Sequence, residues 1–496
     1  MEYFSTRDTA PRLTASEAIS RGLAPDGGLF VPDTLPQIGE AELAALLPLG
    51  YGERAKRILA AYLPEYSDAE LEALVSASYG KNFDIEAIAP VRFTDDKTGY
   101  LELWHGPTSA FKDMALQMLP HLLTASLRKT GETRTACILV ATSGDTGKAA
   151  LDGFHDVPGT KIMVYYPVDG VSPMQKLQMA TQEGANVEVI AIHGNFDDAQ
   201  SAVKRIFTDD ETRAQLDRDG MMLSSANSIN WGRLAPQIAY YVSAYCDMVK
   251  TGTIRQGDKI NVCVPTGNFG NILAAYIAKQ MGLPVNKFIC ASNRNNVLTD
   301  FFKKDGEYNR NRDFYTTTSP SMDILISSNL ERLLFFASDF DDRMVAELMA
   351  KLNGEGSYKV ASDVFAKIAA DFDAGCCDDE HAAETIHRLW TEEKYLCDTH
   401  TAVAVRVYED YRARTGDETP TVIASTASPF KFCRAVIEAL GGTLEKDDVT
   451  QLDVLTGLTG VPAPAPLAAL AGKTPRFDRV VDKADILSTV ALLKDL

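Results

Sequence analysis

Positive charge is what this 496-residue sequence is short of. Its 49 lysines and arginines face 68 aspartates and glutamates, a formal net charge of -19. Non-specific binding to nucleic acid or to an anionic membrane is therefore disfavoured, because both need a positive field. Cysteine is sparse too: eight thiols are scattered without a C-x-x-C pair, which excludes a disulfide framework and predicts reduced thiols in a cytoplasmic protein. The one cluster of metal-binding residue types, Cys376, Cys377, Asp378, Asp379, Glu380 and His381, has adjacent rather than spaced ligands and reads as a solvated acidic turn, so no metal is expected. Also missing are an apolar run of about 18 residues and, in the opening MEYFSTRDTAPRLT, a basic stretch followed by an apolar one. Membrane spanning and secretion are not expected.

What is there suits an ordinary globular chain, with 45% apolar and 24% charged residues and length for about three structural units. From residue 135 short apolar runs alternate with longer amphipathic ones, the rhythm of βαβ units. TACILVAT (Thr135–Thr142), KIMVYYP (Lys161–Pro167) and NVEVIAIH (Asn186–His193) read as buried strands; Pro173–Glu183 and Asp197–Phe207 read as helices between them. KINVCVP (Lys259–Pro265), KFICAS (Lys287–Ser292) and TVIAS (Thr421–Ser425) repeat the pattern. The expected fold is α/β: two parallel-sheet domains with a cleft between them, one over residues 96–240 and a larger one over 241–496. A mixed region over 1–95 precedes them, and a charged, mostly helical insertion occupies about 300–400. VPAPAPLAAL (Val461–Leu470) reads as a surface linker.

Ligands of open α/β sheets bind at the carboxyl ends of strands, and four such ends carry unusual residues. In WHGPTSAFKDMALQ, Lys112 follows a turn and opens an amphipathic stretch, Phe111–Leu127; peptide dipoles at a helix start would disfavour its ammonium form and favour an amine nucleophile. In ATSGDTGKAAL, Ser143, Gly144, Asp145, Thr146 and Gly147 place small residues and hydroxyls at a helix start, an anion-binding geometry. Thr142 and Ala149 stand where a Walker loop needs Gly and Ser or Thr, so nucleotide phosphoryl transfer loses its support. In VPTGNFGNILAAYIA, Gly267, Asn268, Phe269, Gly270 and Asn271 lack dinucleotide spacing but suit one phosphate. In TVIASTASPFKF, Thr426 puts a hydroxyl at a strand end.

Together, H-G-P-T-x-x-F-K-D, A-T-S-G-D-T-G, S-A-N-S-I-N-W-G-R, P-T-G-N-F-G-N and S-T-A-S-P-F-K-F resemble, in order, the threonine synthase family of pyridoxal-phosphate enzymes with the tryptophan-synthase-β fold. YFSTRDTAP and GLAPDGGLFVP near the start, and SMDILISSNLERLLF (Ser321–Phe335), resemble further segments of that family. The resemblance implies that Lys112 forms the internal Schiff base with the aldehyde of pyridoxal 5'-phosphate. It implies that Gly267 to Asn271 hold the cofactor phosphate and that Thr426 faces the pyridine nitrogen, a neutral partner that makes a gentler electron sink than a buried Asp would. Asp145 stands where relatives of the wider fold have Asn near the ring hydroxyl, and Ser428 where many members have His. The family substrate is O-phospho-L-homoserine. Arg233 is the matching phosphate clamp, with Asn227 and Ser228 as neutral donors and Ser143 and Thr146 closing on the same group. His400 follows the family's D-x-H-x-A-V-A pattern without an assignable role.

The implied reaction is release of phosphate from the γ carbon and addition of water at the β carbon, with Lys112 serving several proton transfers. Two alternatives are a dehydratase of the same fold, which has no substrate phosphate to clamp, and a catalytically silent homologue that binds the cofactor or a phospho-amino acid. The expected partner is a small molecule, with the chain a monomer or homodimer.

Overall fold

The long apolar runs become the inner strands of two sheets, as expected where a parallel sheet is buried on both faces. The computed structural model describes residues 1–168, 171–194 and 196–496. In the smaller sheet, Thr135–Ala141 lies between Met221–Ser224 and Thr160–Pro167, followed by Val187–His193 and then Val480–Asp482, all parallel. In the larger sheet the order is Phe372–Cys376, Val285–Ser292, Ile260–Pro265, Thr421–Ser425, Thr98–Glu102 and Val91–Phe93, parallel except for the last pair. The α/β class with two parallel sheets is as the sequence implies.

The chain distributes itself between the sheets differently from a simple division at residues 96 and 240. Thr98–Glu102, expected in the smaller unit, pairs with Thr421–Ser425 of the larger sheet. Val480–Asp482, expected in the larger unit, pairs with Val187–His193 of the smaller one. Strand pairing depends on backbone hydrogen bonds that any sequence can make, so partners far along the chain are not written in local pattern.

The region 300–400 is helical, as expected, but Phe372–Cys376 (FDAGC) forms an edge strand of the larger sheet. Val461–Leu470 also differs from a surface linker: Ala465–Ala468 is helical, and Leu467 and Leu470 are buried in the core around Tyr100, Ile289 and Ile423. The N-terminal region packs a three-stranded sheet and helices such as Tyr51–Tyr62 against Trp231–Lys250. That 20-residue helix has 17 buried residues, the polar Arg233, Gln237 and Ser243 among them. No helix among the described residues is long and apolar enough to cross a membrane.

Candidate functional site

A cavity of about 370 Å³ opens between the two sheets, at the carboxyl ends of their strands. Lys112, Ser143, Asp145, Thr146, Asn227, Ser228, Arg233, Gly267, Asn268, Phe269, Gly270, Asn271 and Thr426 all line it. The sequence-predicted residues are thus brought together, with Ser321 and His400 among the other lining groups.

Lys112 immediately precedes the four-residue helix Asp113–Leu116. So short a helix adds little dipole; burial is what pushes the Lys112 amine down to about 8, with the Arg233 and Lys431 cations adding to it against Asp145 and Asp113. Its ammonium lies 4.5 Å from the Phe111 ring centroid, and its one hydrogen bond among the described residues is to Ser321 Oγ at 3.4 Å. Asp113 is fully buried and turns away to accept from the Thr108 N–H (2.8 Å) and hydroxyl (2.6 Å). Burial raises its carboxyl to about 7. This fold-back explains Gly106 of the H-G-P-T motif, where a Cβ would lie 2.6 Å from the Asp113 side chain.

Asp145 opens the helix Asp145–Phe154 and is itself buried. Its Oδ1 accepts from Lys431 Nζ (2.7 Å) and Gln175 Nε2 (2.9 Å), and its Oδ2 from Ser321 Oγ (3.3 Å). Burial alone would raise this carboxyl, but the Lys431 and Lys112 cations and these hydrogen bonds outweigh it and hold it well below the usual carboxylate range. The Asp145–Lys431 ion pair is closed to water, its side chains 3% and 0% exposed; Lys431 also donates to the Thr108 carbonyl at 2.9 Å. Lys431 belongs to the S-P-F-K-F motif, where a lysine beside phenylalanines reads equally well as a surface cation, and only the fold shows it to be interior.

The phosphate-type loop is held from several sides. Phe269 adopts a left-handed conformation (φ 64°), uncommon for a bulky residue and a form of strain that collects at functional sites. Its ring is wedged near Phe302 and Phe372. A Cβ on Gly267 would meet the Ser321 carbonyl at 2.7 Å, whereas Gly270 has ordinary room, 3.5 Å from Asn329. Crowding by the protein therefore acts at Gly267 and not at Gly270. Asn271 Oδ1 accepts from the Tyr241 hydroxyl, but its Nδ2 is buried without a hydrogen-bond partner among the described residues. Thr426 follows its strand directly; its carbonyl accepts from the Phe111 N–H (2.8 Å), and its hydroxyl has no partner among the described residues.

Arg233 is 6% exposed and donates to the Ala226 carbonyl at 2.7 Å, with no carboxylate partner among the described residues. Burial lowers its guanidinium to about 10. Among the described residues the Ser143 and Thr146 hydroxyls and the exposed Asn227 amide are uncommitted, and Ser228 Oγ has only a 3.5 Å contact to Ser328. Thr142, rather than Ser143, caps the nearby turn, accepting from the Gly144 and Gly147 N–H groups at 2.9 and 2.8 Å.

His400 now has a place. Its Nδ1 donates to buried Asp398 at 2.7 Å, which leaves Nε2 to accept the Ser321 N–H at 3.1 Å. Ser428 caps the turn at Phe430. Away from the cavity, Asp378 caps the helix Asp379–Arg388 and pairs with His381, Cys376 is exposed and Cys377 buried; no group of three or more His, Cys, Asp or Glu suited to a metal occurs among the described residues.

Three family models match: the threonine synthase N terminus over residues 2–79, pyridoxal-phosphate dependent enzyme over 101–426, and the threonine synthase C-terminal region over 401–490. Human threonine synthase-like 1 is 42% identical over 436 residues, 86% of this chain but 58% of that protein's length. Threonine synthase of Pseudomonas aeruginosa is 40% identical, covering 88% of this chain and 90% of its own. The crystal structure of pyridoxal-phosphate-bound threonine synthase from Brucella melitensis superimposes with a TM-score of 0.88 at 36% identity, over 100% of this chain and 99% of that one. With a strand-end cavity of this composition and agreement over nearly the whole length, this chain belongs to the threonine synthase family, and its cofactor is pyridoxal 5'-phosphate.

Proposed function

We propose that this protein converts O-phospho-L-homoserine and water to L-threonine and inorganic phosphate. The observation that carries the reading is Arg233: a buried cation without a carboxylate partner among the described residues, in the wall of the cavity that Lys112 lines, amid uncommitted hydroxyls. A buried unpaired guanidinium is costly unless a ligand anion completes it, and a dehydratase substrate brings no phosphate to do so.

The cofactor fits the remaining groups. The orphaned Asn271 Nδ2, at the start of the helix Gly270–Gln280, suits its phosphate, the free Thr426 hydroxyl its ring nitrogen, and the Lys112 amine its aldehyde. When bound, it supplies an electron sink for negative charge at the α carbon of an amino acid. Lys112 Nζ, with its pKa brought near neutrality, takes the α proton, then a β proton, and delivers one to the γ carbon that phosphate has left and one back to the α carbon. Arg233, with Ser143, Thr146, Asn227 and Ser228, holds the phosphate as it leaves the γ carbon, and water adds at the β carbon. Asp145 is kept ionised by Lys431 and stays an acceptor throughout.

Phosphohomoserine supplied to purified cofactor-loaded protein should yield phosphate and threonine in equal amounts. A keto acid would mark a dehydratase, and binding without turnover a silent homologue.

A further inference from the structure

Ser321 lies 209 positions from Lys112 in sequence, yet its hydroxyl sits between Lys112 Nζ (3.4 Å) and Asp145 Oδ2 (3.3 Å). A serine hydroxyl has one proton to give. Asp145, ion-paired to buried Lys431, is an obligate acceptor, so that proton is committed to it and Ser321 Oγ can only accept from Lys112. Both contacts are long, of the kind that tighten as a site fills. The backbone of Ser321 is pinned on two sides. Its N–H goes to His400 Nε2, whose tautomer Asp398 fixes, and its carbonyl packs where Gly267 has no side chain.

We propose that Ser321 is a positioning residue for the Lys112 amine: its hydroxyl, oriented by Asp145, captures one Lys112 N–H and thereby aims the nitrogen lone pair into the cavity. The Asp398–His400 pair serves the same end by holding Ser321 in place, which gives His400 a role one step removed from the reacting atoms. The inference rests on Lys112 being the reactive amine. The charged and titratable groups around Lys112 are Asp113 beside it in sequence, Asp145 at the start of Asp145–Phe154, Arg233 on Trp231–Lys250, Lys431 from the larger domain, and His400 and Asp323 in the cavity wall. Among the described residues only Asp145 reaches it through a hydroxyl.

The test begins with borohydride reduction of the cofactor-loaded protein and peptide mapping; label on a lysine other than 112 would overturn the parent assignment. With label on Lys112, wild type, Ser321→Ala and Ser321→Thr are compared in two ways. In full-length protein stripped of cofactor, competitive acetylation across pH reads the Lys112 amine, near about 8 in wild type. Losing an acceptor for its N–H should lower that value by roughly half to one pH unit in Ser321→Ala and leave it unchanged in Ser321→Thr. In loaded protein, Ser321→Ala should lower kcat by about tenfold or more with KM within about threefold, and Ser321→Thr should restore it. An unmoved titration in Ser321→Ala, or a Thr variant as poor as Ala, overturns the role of the hydroxyl. Asp145→Asn should shift Lys112 the same way, with little further change on adding Ser321→Ala; independent, additive shifts would also overturn it. If Asp145→Asn fails to fold, the two Ser321 variants decide alone.

Discussion

Lys431→Met removes one partner of an ion pair closed to water. The flexible apolar chain fills most of the space, so the change isolates the charge. Neither side chain is more than 3% exposed, so solvent screening offers Asp145 little relief, and stranding one partner of a buried pair costs about 3–5 kcal/mol. Loss of the hydrogen bond to the Thr108 carbonyl adds about 1 kcal/mol. The pH dependence has a definite sign. Asp145 titrates lower in the folded protein than unfolded, so its pairing contributes fully above the ordinary carboxyl range near 4 and is lost as pH falls through its depressed folded value. Urea unfolding at pH 7 should therefore show a large loss for Lys431→Met, and the gap to wild type should narrow as pH falls below about 4. Replacing both partners, Lys431→Met with Asp145→Leu, should recover much of the stability while abolishing turnover. A cost below about 1 kcal/mol, or a double variant less stable than Lys431→Met, would refute the buried-pair argument.

Arg233→Ala should reduce phosphohomoserine turnover about 10 to 150-fold, the loss of a charge-assisted contact worth roughly 1.5 to 3 kcal/mol, while cofactor occupancy measured on the same preparation stays intact; lost cofactor with normal substrate kinetics would invert the assignment of the two anion sites. Thr426→Ala should weaken cofactor retention by about 0.5 to 1.5 kcal/mol, read by equilibrium dialysis, and unchanged retention would mean another group faces the ring nitrogen. Gly267→Ala should release cofactor more readily than Gly270→Ala, since only the former meets the Ser321 carbonyl at 2.7 Å; equal occupancies would contradict that packing. His105, bonded to Asp84 at 2.6 Å and Glu102 at 3.0 Å, has its pKa raised because these partners outweigh burial. Its contribution is complete below the unfolded value near 6.5 and lost as pH rises through the higher folded value, so the melting-temperature gap between wild type and His105→Gln should shrink from pH 6.5 upward; a constant gap would show a pH-independent role.

The inner strands were readable because a parallel strand buried on both faces must be apolar throughout, as TACILVA and KIMVYYP are. The loops after them were readable because close anion approach demands small residues at fixed offsets, which survive as motifs. Phe372–Cys376 was not, since an edge strand with Asp373 and Gly375 carries no such signature. Nor was the source of the low Lys112 pKa: burial and two distant cations, not a helix terminus, supply it. Lys431 and Ser321 were within motifs already marked as family-like, but their partners lie in remote segments. A buried ion pair has no periodicity, so only the folded chain reveals that a lysine flanked by phenylalanines is interior.

The short strand Val480–Asp482 has a consequence for how the molecule is made. It covers the edge of Val187–His193, and the helical turns after it close the same core, where Thr489 bonds Tyr165 across 324 positions of sequence. During synthesis, then, the smaller sheet is laid down early but stays open along one side until residues some three hundred positions later emerge. A nascent or prematurely terminated chain ending before residue 480 carries a bare strand of Val, Ile and Ala with unpaired backbone groups, a template for pairing with its neighbours. Val480–Asp482 and the turns after it are thus a late seal on an early sheet: with them the Val187–His193 edge is paired, and without them it lies open.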